Sequence, residues 1–195
     1  MASTMPVWTS ANPRIAALAA LLCLAVAGNS PPAAGFSVAA LEQRFDNGLL
    51  VVDGRIDYSL TATATEALEN GVDLVISQRL SLERPRWWWR DVEVVSQQRR
   101  YRLAYHAMSR RYVLNRLASG ESRSYRSLDA LLTRLGTIEA WPVIGRDRLD
   151  DQQTYRLRFE TELDVEALPR LLRTVAWASD DWQLRSEPAT LEVRP

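Results

Sequence analysis

The amino-acid sequence predicts a mainly β protein, an antiparallel, immunoglobulin-like β-sandwich of about seven or eight strands with two or three short helices. Apolar and polar residues alternate with period two through most of the 195-residue chain. Asn47-Gly48 separates two such runs, which is a strong hairpin signal. Most strands are polar on one face, as antiparallel sheets that pack face to face require.

The first three strands follow from this alternation. A strand over 36–45 and a strand over 49–60 flank the Asp46-Asn47-Gly48 turn and should pair. The third strand, over 72–83, repeats the pattern, and between them a short helix is predicted from Thr63 to Asn70. A threonine is its N-cap candidate, and Gly71 fits the position after its end.

The middle of the chain predicts a long strand, a hairpin and a helix. The strand covers 92–107, with Tyr101 and Leu103 on one face and polar residues on the other. The hairpin joins 112–117 to 122–125 through Ala118-Ser119-Gly120. Leucines at helical spacing then predict a helix from Leu128 to Gly136, with Ser127 as its N-cap.

The last part of the chain predicts one more clear strand, over 155–165, where apolar and charged residues alternate strictly. A short helix around 166–176 and a last strand from Trp182 to about Val193 follow. Because no linker or repeat interrupts this region, residues 36–195 are predicted to form one domain, with residues 28–35 as a disordered linker.

The N-terminus predicts an export signal over residues 1–27. Arg14 precedes an apolar run of 14 residues, Ile15–Gly28, which is shorter than the roughly 20 residues of a membrane-spanning helix. Ala25-Val26-Ala27 fits a signal-peptidase site, and an uncleaved signal-anchor is the alternative. Either way, the remaining chain is expected in the periplasm, free or anchored to the inner membrane.

The composition excludes several classes of enzyme. All 24 basic residues are arginine, so lysine-dependent nucleophiles and phosphate-binding loops are absent. One histidine, His106, and one cysteine, Cys23, remain, which excludes a multi-histidine zinc site. We therefore predict a non-enzymatic protein without a cofactor or a metal, and the formal net charge of +0 gives no reason to expect nucleic acid.

The net charge of zero conceals two opposed parts. Residues 79–126 contain twelve arginines and four carboxylates, a net charge of +8. Functionally, this region offers a basic face to an anionic membrane surface or an acidic envelope protein. Alternatively, Arg100 and Arg102 pair with Glu160 and Glu162 on neighbouring strands.

The most distinctive local feature is Arg86-Trp87-Trp88-Trp89-Arg90. Three successive indoles cannot all be buried in an extended segment, so the segment is a candidate contact surface for a partner. Alternatively, two indoles close the end of the sandwich and the third covers a strand edge. The candidate partner-binding residues are Arg86, Trp87, Trp88, Trp89, Arg90, Arg100, Arg102 and His106.

Carboxylates near the predicted strand over 155–165 provide a second hypothesis. A pair among Glu160, Glu162 and Asp164, with Asp147, Asp150 and Asp151, would suit a hydrolase that uses two carboxylates. Nothing in the spacing selects one pair, and such residues on a water-facing strand are usually solvated. A third hypothesis is a structural subunit without a ligand.

Five segments follow one another along nearly the whole part of the chain predicted to be exported, namely Asp53–Leu60, Ala67–Val72, Trp87–Trp89, Tyr101–Ser109, and Leu163-Asp164 with Leu168-Pro169. Together they resemble the DUF4390 family of exported proteins from Gram-negative bacteria. The family has no known function, so the resemblance supplies no catalytic residue. It implies an envelope role near a membrane sensor kinase of the nitrogen-regulation type, and we expect a monomeric interaction domain.

Overall fold

Nine strands and three α-helices are present in the computed structural model, which describes residues 34–86 and 91–195. The strands are β1 (Gly35–Asp46), β2 (Leu49–Ser59), β3 (Leu74–Arg84), β4 (Val92–His106), β5 (Arg111–Arg116), β6 (Ser122–Tyr125), β7 (Thr137–Gly145), β8 (Tyr155–Leu163) and β9 (Ala189–Val193). The helices are α1 (Ala62–Glu69), α2 (Leu128–Gly136) and α3 (Arg170–Ala178).

Two antiparallel sheets form the sandwich. One sheet has three strands in the order β1-β2-β7, and the other has six in the order β6-β5-β4-β3-β8-β9. The predicted mainly β sandwich is therefore confirmed, with nine strands where about seven or eight were expected. None of the helices among the described residues has the length and apolarity that a bilayer crossing requires.

The β1–β2 hairpin forms at the predicted turn. Asn47 and Gly48 both have positive φ, 49° and 77°, which a two-residue type I′ turn requires. The resulting register places Leu50, Val52 and Ile56 in the core, each at most 2% exposed. The apolar alternation and the turn chemistry thus select the same pairing.

Strand β3 lies at the centre of the larger sheet, between β4 and β8. Both of its neighbours are antiparallel, and its inner face carries Leu74, Ile76, Leu80 and Leu82 in the core. Gln78 occupies the remaining inward position and is 1% exposed. A polar side chain therefore lies in the middle of the apolar interior.

A chain of hydrogen bonds satisfies this buried glutamine. Gln78 Nε2 donates to the Tyr58 hydroxyl (2.9 Å) and to the carbonyl oxygen of Leu135 (3.2 Å). The Tyr58 hydroxyl lies 2.9 Å from Thr161 Oγ1, which donates to the carbonyl oxygen of Ser77 at 2.9 Å. The chain thus connects β2 of the smaller sheet to β3 and β8 of the larger sheet, and to the end of α2.

Helix α2 packs directly on the smaller sheet. The Ser127 hydroxyl accepts a hydrogen bond from the Ala130 N–H, as predicted for its N-cap (3.3 Å). Leu131, Leu132 and Leu135 are buried. At its C-terminal end, a Cβ on Gly136 would collide with the carbonyl oxygen of Ile56, so this position requires glycine.

The alternation did not predict β7. Its sequence, Thr137–Gly145, contains Pro142, which cannot donate a hydrogen bond, and Ala140, whose φ is 43°. The β2–β7 register also shifts twice. Proline is tolerated because β7 is an edge strand, and Trp141, 1% exposed, anchors the strand against Phe159 of β8.

The last two predicted elements were partly wrong. The helix expected over 166–176 begins at Arg170, after a 3₁₀ turn over Val165–Ala167, because Pro169 disfavours helical geometry in the residue before it. The strand expected from Trp182 is a 3₁₀ turn at Asp180–Trp182, and β9 begins only at Ala189, after Pro188. The N-cap of α1 is Thr61, which lies before the predicted start of this helix at Thr63.

Replacing Tyr58 with phenylalanine should lower the free energy of unfolding by about 1–3 kcal/mol, because it removes the hydroxyl that Gln78 and Thr161 share. Urea unfolding of the variant measures the change. Tyr105→Phe is the control, since the Tyr105 hydroxyl makes no hydrogen bond within the described ranges. Equal stabilities of the two variants would contradict the expectation.

The same variant should change the response to alkali. Burial raises the pKa of Tyr58 to about 12, although the hydrogen bonds with Thr161 and Gln78 act to lower it. The folded protein then keeps a proton that the unfolded chain releases near pH 10, so stability is lost as the pH rises from 10 towards 12. Urea unfolding at several pH values should show a smaller loss for Tyr58→Phe than for the wild type.

Candidate functional site

A cavity of about 220 Å³ opens where the larger sheet extends beyond the smaller one. Strands β4, β5 and β6 form one wall, and the end of α2 with the start of β7 forms the other. Its charged lining residues are Arg99, Arg116, Arg123, Arg134, Glu121 and Glu139. The others are Tyr101, Leu114, Tyr125, Leu135, Thr137 and Ile138. We call it the arginine cavity.

Strand alternation aims these side chains inward. On β4, Arg99 shares the inner face with Tyr101 and Leu103, and Tyr101 pairs with Arg116 of β5. Arg123 and Tyr125 occupy the corresponding positions on β6, opposite Leu114 and Tyr112. Three neighbouring strands therefore each contribute one arginine to the same side of the sheet.

Two of the four arginines have close carboxylate partners. Arg123 contacts Glu121 through both Nε (2.9 Å) and Nη2 (2.7 Å). Arg134 lies 3.6 Å from Glu139. The charges of Arg123 and Arg134 are therefore offset within the cavity wall.

The other two guanidinium groups are poorly neutralised. Arg116 lies 3.9 Å from Glu121, and its buried Nε has no hydrogen-bond partner. Arg99 forms no salt bridge with any residue of the described ranges. Because positive charges without partners cost free energy at a partly desolvated site, this arrangement favours an added anion.

Arg99 is held in place by an aromatic ring rather than by an acid. Its guanidinium carbon lies 3.8 Å from the centroid of the Trp141 ring, a cation–π distance. Trp141 is fixed in turn, because its Nε1 donates to Gln97 Oε1 at 2.6 Å. Desolvation lowers the pKa of Arg99, and the nearby charge of Arg116 acts in the same direction, while Tyr101 opposes it.

The predicted partner-binding residues of β4 lie on the opposite face of the sheet. Arg100 Nη2 contacts Asp164 Oδ2 at 2.6 Å, and Arg102 lies 3.7 Å from Asp73. His106 is exposed at the end of the strand. These arginines do form ion pairs, as one alternative predicted, but with partners other than Glu160 and Glu162, because β3 separates β4 from β8.

The predicted aromatic segment is described only at its first residue. Arg86 is exposed, and its backbone N–H donates to Asp91 Oδ1 at 3.3 Å. Trp87, Trp88, Trp89 and Arg90 lie outside the described residues.

Three of the six carboxylates considered for hydrolysis, Glu160, Asp164 and Asp151, form ion pairs with arginine. Glu160 lies 3.3 Å from Arg158 and 4.0 Å from Arg79, while Asp164 contacts Arg100. Across residues 34–86 and 91–195, no three His, Cys, Asp or Glu side chains are grouped to hold a metal ion. No observation therefore favours the hydrolase over a binding protein.

Sequence reasoning missed all four arginines of the cavity. The available signal was Arg99, which the alternation of β4 places on the same face as Tyr101 and Leu103. An arginine in phase with core residues is an unusual position that predicts either a buried ion pair or a site. Arg116, Arg123 and Arg134 reach the cavity only through tertiary structure.

A second surface feature is the exposed apolar side of α3. Leu171, Val175 and Trp177 are 89%, 59% and 64% exposed. Exposed apolar patches often mark contact surfaces. The arginine cavity is better defined as a site, because charged and aromatic side chains from five elements converge on it.

The chain matches the family model described as "Domain of unknown function (DUF4390)" over residues 33–192. No curated protein and no solved structure matches the chain. The matched range includes every strand and helix described above except the final residue of β9.

If Arg99 serves binding rather than folding, removing its charge should not destabilise the protein. Arg99→Met keeps a side chain on the Trp141 ring and removes a partly desolvated charge, so its free energy of unfolding should stay within about 0.5 kcal/mol of the wild type or exceed it. The matched control, Arg100→Met, loses its ion pair with Asp164 and should cost roughly 0.2–1 kcal/mol. Urea unfolding compares them, and a loss above about 1 kcal/mol for Arg99→Met would show a structural role.

Proposed function

The chain belongs to the DUF4390 family, a domain of unknown function, and from that premise we propose that it is a non-enzymatic binding domain whose arginine cavity captures an anionic group of a partner in the cell envelope. The observation that carries this proposal is the pair Arg99 and Arg116. Arg99 forms no salt bridge within the described ranges, and Arg116 has only Glu121 at 3.9 Å, a carboxylate that also pairs with Arg123.

The chemistry of the cavity suits an anion that has an apolar or aromatic neighbour. Guanidinium groups present several N–H donors in a plane and remain charged at all physiological pH values. Leu114, Leu135 and Ile138 supply an apolar wall beside them. A bound anion in this partly dry setting gains more from each charge-assisted hydrogen bond than it would at an open surface.

The proposal keeps the other candidate contacts of the basic region. Arg86, Arg100, Arg102 and His106 do not line the cavity, and Trp87–Arg90 lie outside the described residues. Arg100 and Arg102 already have acidic partners on the outer face, so the cavity carries the larger share of the proposal.

The setting of this function is part of the same proposal. Ile15–Gly28 supports export to the periplasm, with cleavage of the signal or retention as an anchor. The family resemblance supports a membrane sensor kinase as the candidate partner.

Titration of the ¹⁵N-labelled full-length chain with glutarate, and separately with inorganic phosphate, tests the cavity directly. The side-chain Nε–H signals of Arg99 and Arg116 should shift with either anion, because these are the least neutralised guanidinium groups of the cavity. The shifts should weaken in about 0.5 M salt, where exposed charges are strongly screened. Arg99→Met should weaken binding about tenfold, or 1.4 kcal/mol.

The control is Arg111→Gln, which removes a charge from the same strand as Arg116 but from outside the cavity lining. It should bind both anions as the wild type does. If the signals of Arg99 and Arg116 do not respond, or if Arg111→Gln weakens binding as much as Arg99→Met, the cavity is not the binding site.

A further inference from the structure

Strand β6 is the edge of the six-stranded sheet beside the arginine cavity. Within the described ranges, only β5 pairs with it. An edge strand presents unpaired backbone N–H and C=O groups to a partner chain.

The turn before β6 determines which backbone groups point outward. Gly120 N–H donates to the carbonyl oxygen of Arg116, and Arg116 N–H donates to that of Glu121, both at 2.8 Å. This is a β-bulge with glycine in the left-handed region (φ 69°). In an antiparallel pair, successive residues of a strand direct their backbone groups alternately towards the partner strand and away from it. Because Glu121 bonds to Arg116, Arg123 also bonds to β5, while Ser122 and Ser124 direct their N–H and C=O groups to the free edge.

The side chains of β6 complement this free edge. Arg123 and Tyr125 lie on the cavity side of the sheet. A strand added beside β6 would project alternate side chains to the same side, over the mouth of the cavity. The backbone edge and the guanidinium groups are therefore placed for one extended ligand.

The other edges of the two sheets are less suited to an added strand. The β1 and β9 edges lie against each other across the sandwich. Pro142 of β7 lacks an N–H group, and the Ala140 N–H donates to Asp53 Oδ1 at 2.8 Å. Strand β6 contains no proline and has two serines at the free positions.

We propose that an extended polypeptide segment of the partner adds to β6 as a further strand and places a carboxylate in the arginine cavity, where Arg116 and Arg99 attract it. This rests on the proposed function and names the chemistry of its ligand. The carboxylate belongs to a Glu or Asp side chain or to a chain terminus. A volume of about 220 Å³ is below the usual range of roughly 300–1,000 Å³ for small-molecule sites and has room for such a group.

Fluorescence anisotropy with defined peptides and the full-length chain tests this proposal. The probe is a labelled hexapeptide of alternating valine and threonine that ends in glutamate with a free α-carboxylate. One analogue has an amidated terminus, a second has glutamine in place of glutamate, and a third has both changes. The peptide with both changes should bind at least about tenfold more weakly than the unmodified probe. The two peptides with a single change show which carboxylate enters the cavity.

A second experiment tests the backbone hydrogen bonds of the added strand. It uses two versions of the same peptide, each with N-methyl groups on one of the two alternating sets of residues. N-methylation of one alternating set of residues removes the N–H donors of one edge of the peptide. The peptide methylated on the edge that faces β6 should therefore bind about fivefold or more weakly, while the peptide methylated on the other edge should retain its affinity. The protein variant Ser124→Pro should weaken binding similarly. Its proline removes an N–H that points away from β5, so the β5–β6 pairing is kept, and the circular dichroism spectrum verifies the fold.

Two further probes identify other sources of the anion, namely inorganic phosphate and vesicles that contain phosphatidylglycerol. If both N-methylated peptides bind as well as the unmethylated peptide, strand addition is wrong. If glutarate or phosphate shifts the Arg99 signal while no peptide binds, strand addition is also wrong, but the anion-binding function stands. If no probe binds, both proposals fail.

Discussion

The inner face of the six-stranded sheet is apolar along β3 and β8 and must be shielded from water, but the sheet opposite has three strands. Trp141 and Phe159 fill the space between the sheets on one side, and β1 lies against β9 on the other. The strands that extend beyond this cover are β5 and β6. Helix α2 covers part of them, and the arginine cavity occupies the remainder.

The interior is not purely apolar, and its polar part determines how the sheets fit together. Gln78, Tyr58 and Thr161 each come from a different strand, and the hydrogen bonds between them have lengths of 2.9 Å. A slip of two residues in the β3–β8 register would keep the apolar side chains inward but would move Thr161 away from Tyr58 and leave buried polar groups without partners. The hydrogen-bond chain thus gives specificity to a sandwich whose leucines alone would tolerate several alignments.

Local sequence patterns predict those elements whose structure depends on neighbouring residues. The Asn47-Gly48 turn, the alternation of β4 and the Ser127 cap of α2 are examples. Strand β7 was missed because Pro142 and an irregular register obscure the period of two, although Trp141 is one of the most buried residues. The cavity was missed for a different reason, since Arg116 and Arg134 are distant in sequence and meet only when α2 packs beside β5.

The absence of lysine and the scarcity of histidine make the positive charge of the cavity constant. Its cations are all guanidinium groups, which do not titrate in the physiological range, and His106 is not part of the lining. In the proposed complex, mild acidification would therefore leave these cations unchanged and act only on carboxylates. Occupancy of the proposed site would then depend on the supply of partner and on ionic strength, and not on protonation of a basic side chain of the cavity.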